Sequence, residues 1–292
     1  MKDLKKRIIT GSLIFVTFVG IILLTLLVHW AFFDVFVLAL AILGAIEMSN
    51  AISKRFPRPV LSIAIATAVF GYVSYVVAQK VVNIGGITSF FCVFLIMCLA
   101  LIVYVMCSKK LNTNNAVSTM LVMIYPIAAL MYMLGFNHFP EPYRANAILL
   151  LFAVSPFTDV FAFFVGSTLK GKKLCPKISP NKTISGAIGG LIGGTIAGAL
   201  LYFLSLTGVG SFLGMGALSS GMSNCINFIC IGLACSVATQ VGDLFASFIK
   251  RTVGIKDYSN LLPGHGGIMD RIDGMIFGCV VIYLYMAILI AL

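Results

Sequence analysis

Four of the nine Asp and Glu residues in this chain, Asp243, Asp257, Asp270 and Asp273, lie in or just before one stretch, Ser247–Asp273. The same stretch carries Lys250, Arg251, Lys256, His265 and Arg271. Asp243, Ser247 and Lys250 are spaced i, i+4, i+7 and share one face of a helix. Asp270 and Asp273 are spaced i, i+3 and share another, near a helix start where acids are favoured. Between the two faces, Leu-Leu-Pro-Gly-His-Gly-Gly at Leu261–Gly267 is a turn sequence able to fold them together. Two or three converging carboxylates suit a hard divalent cation such as Mg²⁺, commonly held by one or two acids plus substrate phosphates. Lysines and arginines beside it would neutralise further phosphate charge, and transfer at phosphorus depends mainly on such positioning. His265 fits a base, a phosphate contact or a turn former, and position alone does not choose.

These residues are set in a chain built for lipid. Of its 292 residues, 60% are hydrophobic and 10% charged, against about a quarter charged in soluble domains. Apolar runs long enough for a bilayer core recur along it, and helices are the elements that satisfy their own backbone there. The expected fold is all-α and polytopic, with about nine transmembrane helices. They are Ile8–Val28, Ala31–Ser49, Val60–Gln79, Ile87–Cys107, Val117–Leu134, Ala147–Leu169, Ile184–Leu206, Met222–Phe248 and Ile272–Leu292. The connecting loops alternate in charge, and one set holds every Lys and Arg except Lys80 and Arg144. That asymmetry predicts a cytoplasmic N-terminus and an external C-terminus. The net charge of +11 is then an orientation signal and not a nucleic-acid footprint. The two largest charged loops, Lys170–Thr183 and Ile249–Arg271, face the cytoplasm in this arrangement. Residues 1–145 form an N-terminal set of about five spans, and 146–292 a region with both charged loops.

Simpler readings cover most other features. Seven of the eight cysteines sit in apolar segments and none forms a CxxC pair, which points to packing, not metal or disulfide. The glycine run Gly186–Ala199 lies in an apolar span without a Walker lysine, and its spacing permits close helix packing. Pro156 loosens the sixth span just before Asp159, and an acid at that depth usually faces a polar cavity. Glu47 in the second span fits a polar contact inside the bundle, Asp34 an interfacial position. His29 and His138 fall in short external loops without ligand-like company.

The charged stretch resembles a known signature. Ser247-Phe-Ile-Lys250-Arg251, then Lys256-Asp257-Tyr-Ser259, then Leu262-Pro263-Gly264-His265-Gly266-Gly267-Ile-Met-Asp270-Arg271-Ile-Asp273 is similar to that of the phosphatidate cytidylyltransferase, or CDP-diacylglycerol synthase, family. A second block, Asp159-Val-Phe-Ala162-Phe-Phe-Val-Gly166 and Lys173-Leu174-Cys-Pro176-Lys177-Ile-Ser179-Pro180-Asn-Lys182-Thr183, resembles the family's other loop. The resemblance implies the reaction CTP + phosphatidate → CDP-diacylglycerol + pyrophosphate, dependent on Mg²⁺, and allows a second, monovalent cation such as K⁺. It implies a catalytic set of Asp243, Lys250, Asp270 and Asp273, with the three aspartates as metal ligands. Asp159, Lys177, Lys182, Ser247, Arg251, Lys256, His265 and Arg271 are then substrate-binding. The expected protein is a multi-pass bacterial plasma-membrane enzyme with a cytoplasmic active site and contact with membrane lipid, and the resemblance implies a homodimer, which Gly186–Ala199 could serve.

Two positions depart from the family pattern. Lys182-Thr183-Ile184-Ser185-Gly186 stands where Lys-Thr-Trp-Glu-Gly is common, and Asp243-Leu244-Phe245-Ala246-Ser247 where Asp-Leu-Phe-Glu-Ser is common. Two carboxylates are missing. A related enzyme for another lipid phosphate, or a non-catalytic member, is compatible with that loss. A transporter is the alternative from another class, but there is no evident inverted repeat and the charge gathers at one face.

Overall fold

The computed structural model describes residues 2–79 and 85–292, with side chains from Ile9 onward. Lys80, and the side chains of Lys2, Lys5, Lys6 and Arg7 that enter the orientation argument, lie outside the described residues. The helices are α1 (Lys2–Leu27), α2 (Ala31–Ile52), α3 (Leu61–Val77), α4 (Gly86–Cys107), α5 (Thr113–Val122), α6 (Ala129–Phe136), α7 (Tyr143–Leu169), α8 (Ile184–Ser205), α9 (Gly208–Phe212), α10 (Met222–Thr252) and α11 (Met269–Ala291). Each of the nine expected apolar stretches is helical. Eight described helices are long and apolar enough to cross a membrane, counting Thr113–Phe136 as one, and Leu61–Val77 is a shorter apolar helix. The chain is a polytopic helical membrane protein. Exposed Leu95, Ile96, Leu99 and Met106 on α4 and Phe163 and Phe164 on α7 are the surface such a protein turns to lipid.

The fifth stretch is helical but not uniform. Pro126 has no N–H to donate and interrupts the ladder, so Met123–Ala128 is a π-helical segment between α5 and α6, with Tyr125 at φ −128°, ψ 106°. The lysine-rich loop is also more ordered than its composition suggests. Strands β1 (Lys173–Cys175) and β2 (Ser179–Thr183) pair antiparallel, with Lys173 opposite Thr183 and Cys175 opposite Ser179. Ile178 N donates to Cys175 O at 3.1 Å and closes the turn.

Contacts gather the chain into two compact units that follow packing, whereas the division at residue 145 follows motif content. One unit holds the first turns of α1, Ala31–Gly135 and Lys250–Arg271. Small residues let its helices close up: a Cβ on Gly71 would strike the Phe90 ring at 2.6 Å. Tyr75 Oη donates to Leu134 O at 3.0 Å and Asn115 Nδ2 to Arg58 O at 2.9 Å, satisfying polar groups in an apolar setting.

The other unit holds Phe18–Trp30, Phe136–Ile249 and Ile272–Leu292. Its glycine run works as expected for packing, inside the chain. Gly186, Gly189 and Gly193 face Ala162, Val165 and Phe161 of α7, while Gly194 and Gly198 face Ser236 and Phe228 of α10. Ser236 Oγ donates to Gly190 O at 2.9 Å and Gln240 Nε2 to Ala187 O at 3.2 Å. The glycines therefore serve α7, α8 and α10 and are buried by them, so this face is not available to a second copy. The close packing carries Asp159, on α7, and Asp243, on α10, to the walls of one cavity.

Candidate active site

That cavity, of about 480 Å³, lies within the second unit and is lined by Asp159, Gly166, Asn181, Lys182, Thr183, Gln240 and Asp243 among others. Each wall has a local cause. Thr183 ends β2 and caps α8, its Oγ1 accepting from Gly186 N at 3.1 Å. This cap anchors the strand that presents Lys182. A Cβ on Gly166 would lie 3.2 Å from the Gly186 Cα, so small residues at both positions let α7 approach the start of α8. Lys182 Nζ forms an ion pair with Asp243 Oδ2, and their side chains are 28% and 30% exposed. Ser247 Oγ, one turn on, reaches Asp243 Oδ1 at 3.4 Å. Asp159 is exposed on the cavity wall. Water reaches this pair from the cavity and screens it more than a fully buried one.

The signature loop in the first unit has a different character. Lys250 Nζ donates to Asp270 Oδ1 at 2.7 Å, with side chains only 11% and 3% exposed. Asp270 Oδ2 accepts from Tyr258 N and Gly267 N, both at 2.9 Å. The Lys250 ammonium also stands 5.4 Å from the Tyr258 ring centre, within cation–π range. Leu262 N donates to Gly266 O at 2.9 Å and His265 N to Leu262 O at 2.8 Å, closing a tight turn. Gly264 and Gly266 take φ of 79° and 82°, a left-handed conformation that disfavours side chains. A Cβ on Gly266 would also sit 2.8 Å from Asp270 Oδ2.

The remaining expected site residues are spread around these two centres. Arg251, Lys256 and Arg271 are exposed, and Arg251 Nη1 donates to Ile255 O at 3.0 Å. Lys177 is exposed in the hairpin turn and does not line the cavity. His265 is half-buried; its Nδ1 has no hydrogen-bond partner among the described residues. Its imidazole lies where a Cβ on Gly11 would be 3.4 Å from Nε2. Asp273 Oδ1 accepts from Gly274 N at 2.8 Å. Asp243 and Asp273 belong to one unit, Asp270 to the other.

Among the described residues no three or more His, Cys, Asp or Glu side chains are grouped to hold a metal ion. The donor set at Asp243 nevertheless fits a hard cation held by one or two carboxylates plus phosphate oxygens. Asp243 lines the cavity, Asp159 lines the same space, and Lys182 is the ion-pair partner of Asp243. Asp270 is instead committed to three donors.

Sequence reasoning placed Glu47 in a polar contact but not at this site. Its carboxylate accepts from Ser259 Oγ at 2.6 Å, Ile268 N at 3.0 Å and Met269 N at 2.8 Å. The signal was an acid well inside an apolar helix. Asn181 and Gln240 were missed because single amides carry no pattern. Of the two departures, Ser185 Oγ donates to Lys170 O and lies 3.1 Å from Thr183 Oγ1, tying the hairpin to α8. Ala246 is fully buried.

The chain is similar to known proteins. The Cytidylyltransferase family matches the chain over residues 5–289. The phosphatidate cytidylyltransferase of Brucella abortus (strain 2308) is 40% identical over 148 residues, 51% of this chain and 49% of that protein. Those of Helicobacter pylori (strain ATCC 700392 / 26695) and Rickettsia bellii (strain RML369-C) are 40% identical over 138 residues and 34% over 143. These alignments cover 47% and 49% of this chain, and 46% and 58% of the two relatives. The chain thus spans about half the length of the curated relatives it matches.

Proposed function

This chain belongs to the Cytidylyltransferase family, and on that premise we propose that it transfers the cytidylyl group of CTP to phosphatidate. The products are CDP-diacylglycerol and pyrophosphate. A phosphate oxygen of the lipid forms a bond to the α-phosphorus of CTP, the bond from that phosphorus to the α–β bridging oxygen breaks, and pyrophosphate leaves with its electron pair. The observation that carries the reading is the Lys182–Asp243 pair inside a cavity that also contains Asp159. All three are motif residues.

Lys182 turns from Asp243 to a substrate phosphate, replacing one anion with another beside water that enters the cavity. Asp243 would then be the residue to hold Mg²⁺, with Asp159 lining the same cavity. The cation, when bound, neutralises charge developing on the phosphate oxygens. Asp273, of the same unit, would complete the proposed ligand set, while Asp270 in the other unit keeps its three donors. The exposed Arg251, Lys256 and Arg271 supply phosphate contacts. Loop charge supports a cytoplasmic active site, and the named bacterial relatives support a bacterial plasma membrane.

The deciding experiment measures labelled CDP-diacylglycerol formed from CTP and phosphatidate by the purified full chain, with and without Mg²⁺. Metal-dependent product is expected. Folded protein that makes none across several phosphatidates and divalent ions overturns the reading.

A further inference from the structure

We propose that Glu47 is a positioning residue: from α2 it clamps the signature loop and the start of α11, and so holds in place the groups that Lys250, Asp270 and Arg271 carry. The kinetic part rests on the function proposed above; the clamp itself does not.

An acid in an apolar helix is costly unless its oxygens are satisfied. Glu47 is only 6% exposed, and its hydrogen bonds come from Ser259 Oγ, Ile268 N and Met269 N, between 212 and 222 residues further along the chain. Ile268 immediately precedes α11 and Met269 opens it, where backbone N–H groups lack partners inside the helix. A carboxylate there satisfies two of them and complements the positive end of the helix dipole. Glu47 is a helix cap supplied from another helix.

Two glycines make the approach possible. A Cβ on Gly44, one turn before Glu47, would sit 3.0 Å from the Met269 sulfur, and one on Gly267 would collide with the Glu47 carboxylate. The clamp adjoins the Asp270 contacts directly. Glu47 holds residues 259, 268 and 269, while Asp270 holds the backbone of 258 and 267 and the Lys250 ammonium. Four backbone N–H groups and one hydroxyl of the loop thus end on two acids. Release of Glu47 frees the chain on both sides of Gly267, and misplacement of groups near the chemistry is felt chiefly in the transition state.

Glu47→Gln is the sharp test because shape is kept. Oε1 serves Ser259 and Ile268 while Oε2 serves Met269, so an amide nitrogen in either place sets donor against donor. In detergent-purified full chain, amide hydrogen exchange at residues 268–269 is expected to quicken about tenfold relative to wild type. Turnover per folded protein should fall about tenfold or more, with the KM for CTP changing less than about threefold. Glu47→Asp should lie between the two. Should Glu47→Gln not fold, Ser259→Ala removes one donor, leaves the acid, and carries the same two readouts with smaller changes. Unchanged exchange overturns the clamp whatever the activity. Faster exchange with wild-type turnover overturns the positioning role. If the wild-type chain makes no CDP-diacylglycerol, the proposed function fails, and the exchange result alone decides the clamp.

Discussion

Two Asp–Lys pairs of the same chemistry stand in opposite settings. Lys182 and Asp243 meet on the wall of a cavity, 28% and 30% exposed, with Ser247 3.4 Å from Asp243 Oδ1. Lys250 and Asp270 meet at 11% and 3% exposure, with two backbone N–H groups on the second carboxylate oxygen. Solvent access separates their roles. Water reaches the first pair, so it adds less to stability than a closed one would lose on being broken. The second pair has lost its water and depends on its partners, since removal of one leaves an uncompensated charge. The same two residue types thus make a water-accessible pair in one unit and a closed, multiply bonded one in the other.

The comparison can be broken at its strongest point first. Lys250→Met leaves Asp270 buried without its counter-ion and is expected to cost about 3–5 kcal/mol of stability, read as a large drop in the unfolding midpoint in mixed micelles. A midpoint like wild type would mean that the two pairs do not differ as described. Asp243→Asn should do the reverse. Turnover should fall about a hundredfold or more, while stability changes by no more than about 1 kcal/mol; a variant that keeps wild-type rates removes Asp243 from the site. Lys182→Ala is the mildest of the three. It should raise a substrate KM about tenfold, the scale of one lost charge-assisted hydrogen bond, and an unchanged KM for both CTP and phosphatidate refutes the phosphate contact.

Much of this architecture was legible before any coordinate. Runs of apolar residues define the spans because burial in lipid acts on each segment by itself. The turn at Pro263–Gly267 was readable for the same reason: positive φ at Gly264 and Gly266 is a property of glycine. The glycine spacing of Gly186–Ala199 announced close packing, but its partners, α7 and α10 of the same chain, were not in the pattern, and the same spacing could have served a dimer. The hairpin at Lys173–Thr183 was hidden because its strands are short and polar, and only pairing with each other satisfies them.

The sequence by itself determined that this is a helical membrane protein of the Cytidylyltransferase family, and which aspartates, lysines and glycines carry its motifs. Those properties belong to residue type and to spacing along the chain. The tertiary structure alone decided that Asp243 pairs with Lys182 in an open cavity, that Asp270 is closed in with Lys250, and that Glu47 caps α11 from 222 residues away. Partner choice and exposure depend on which helices pack together, and in a chain whose spans are almost uniformly apolar, no local pattern records that choice.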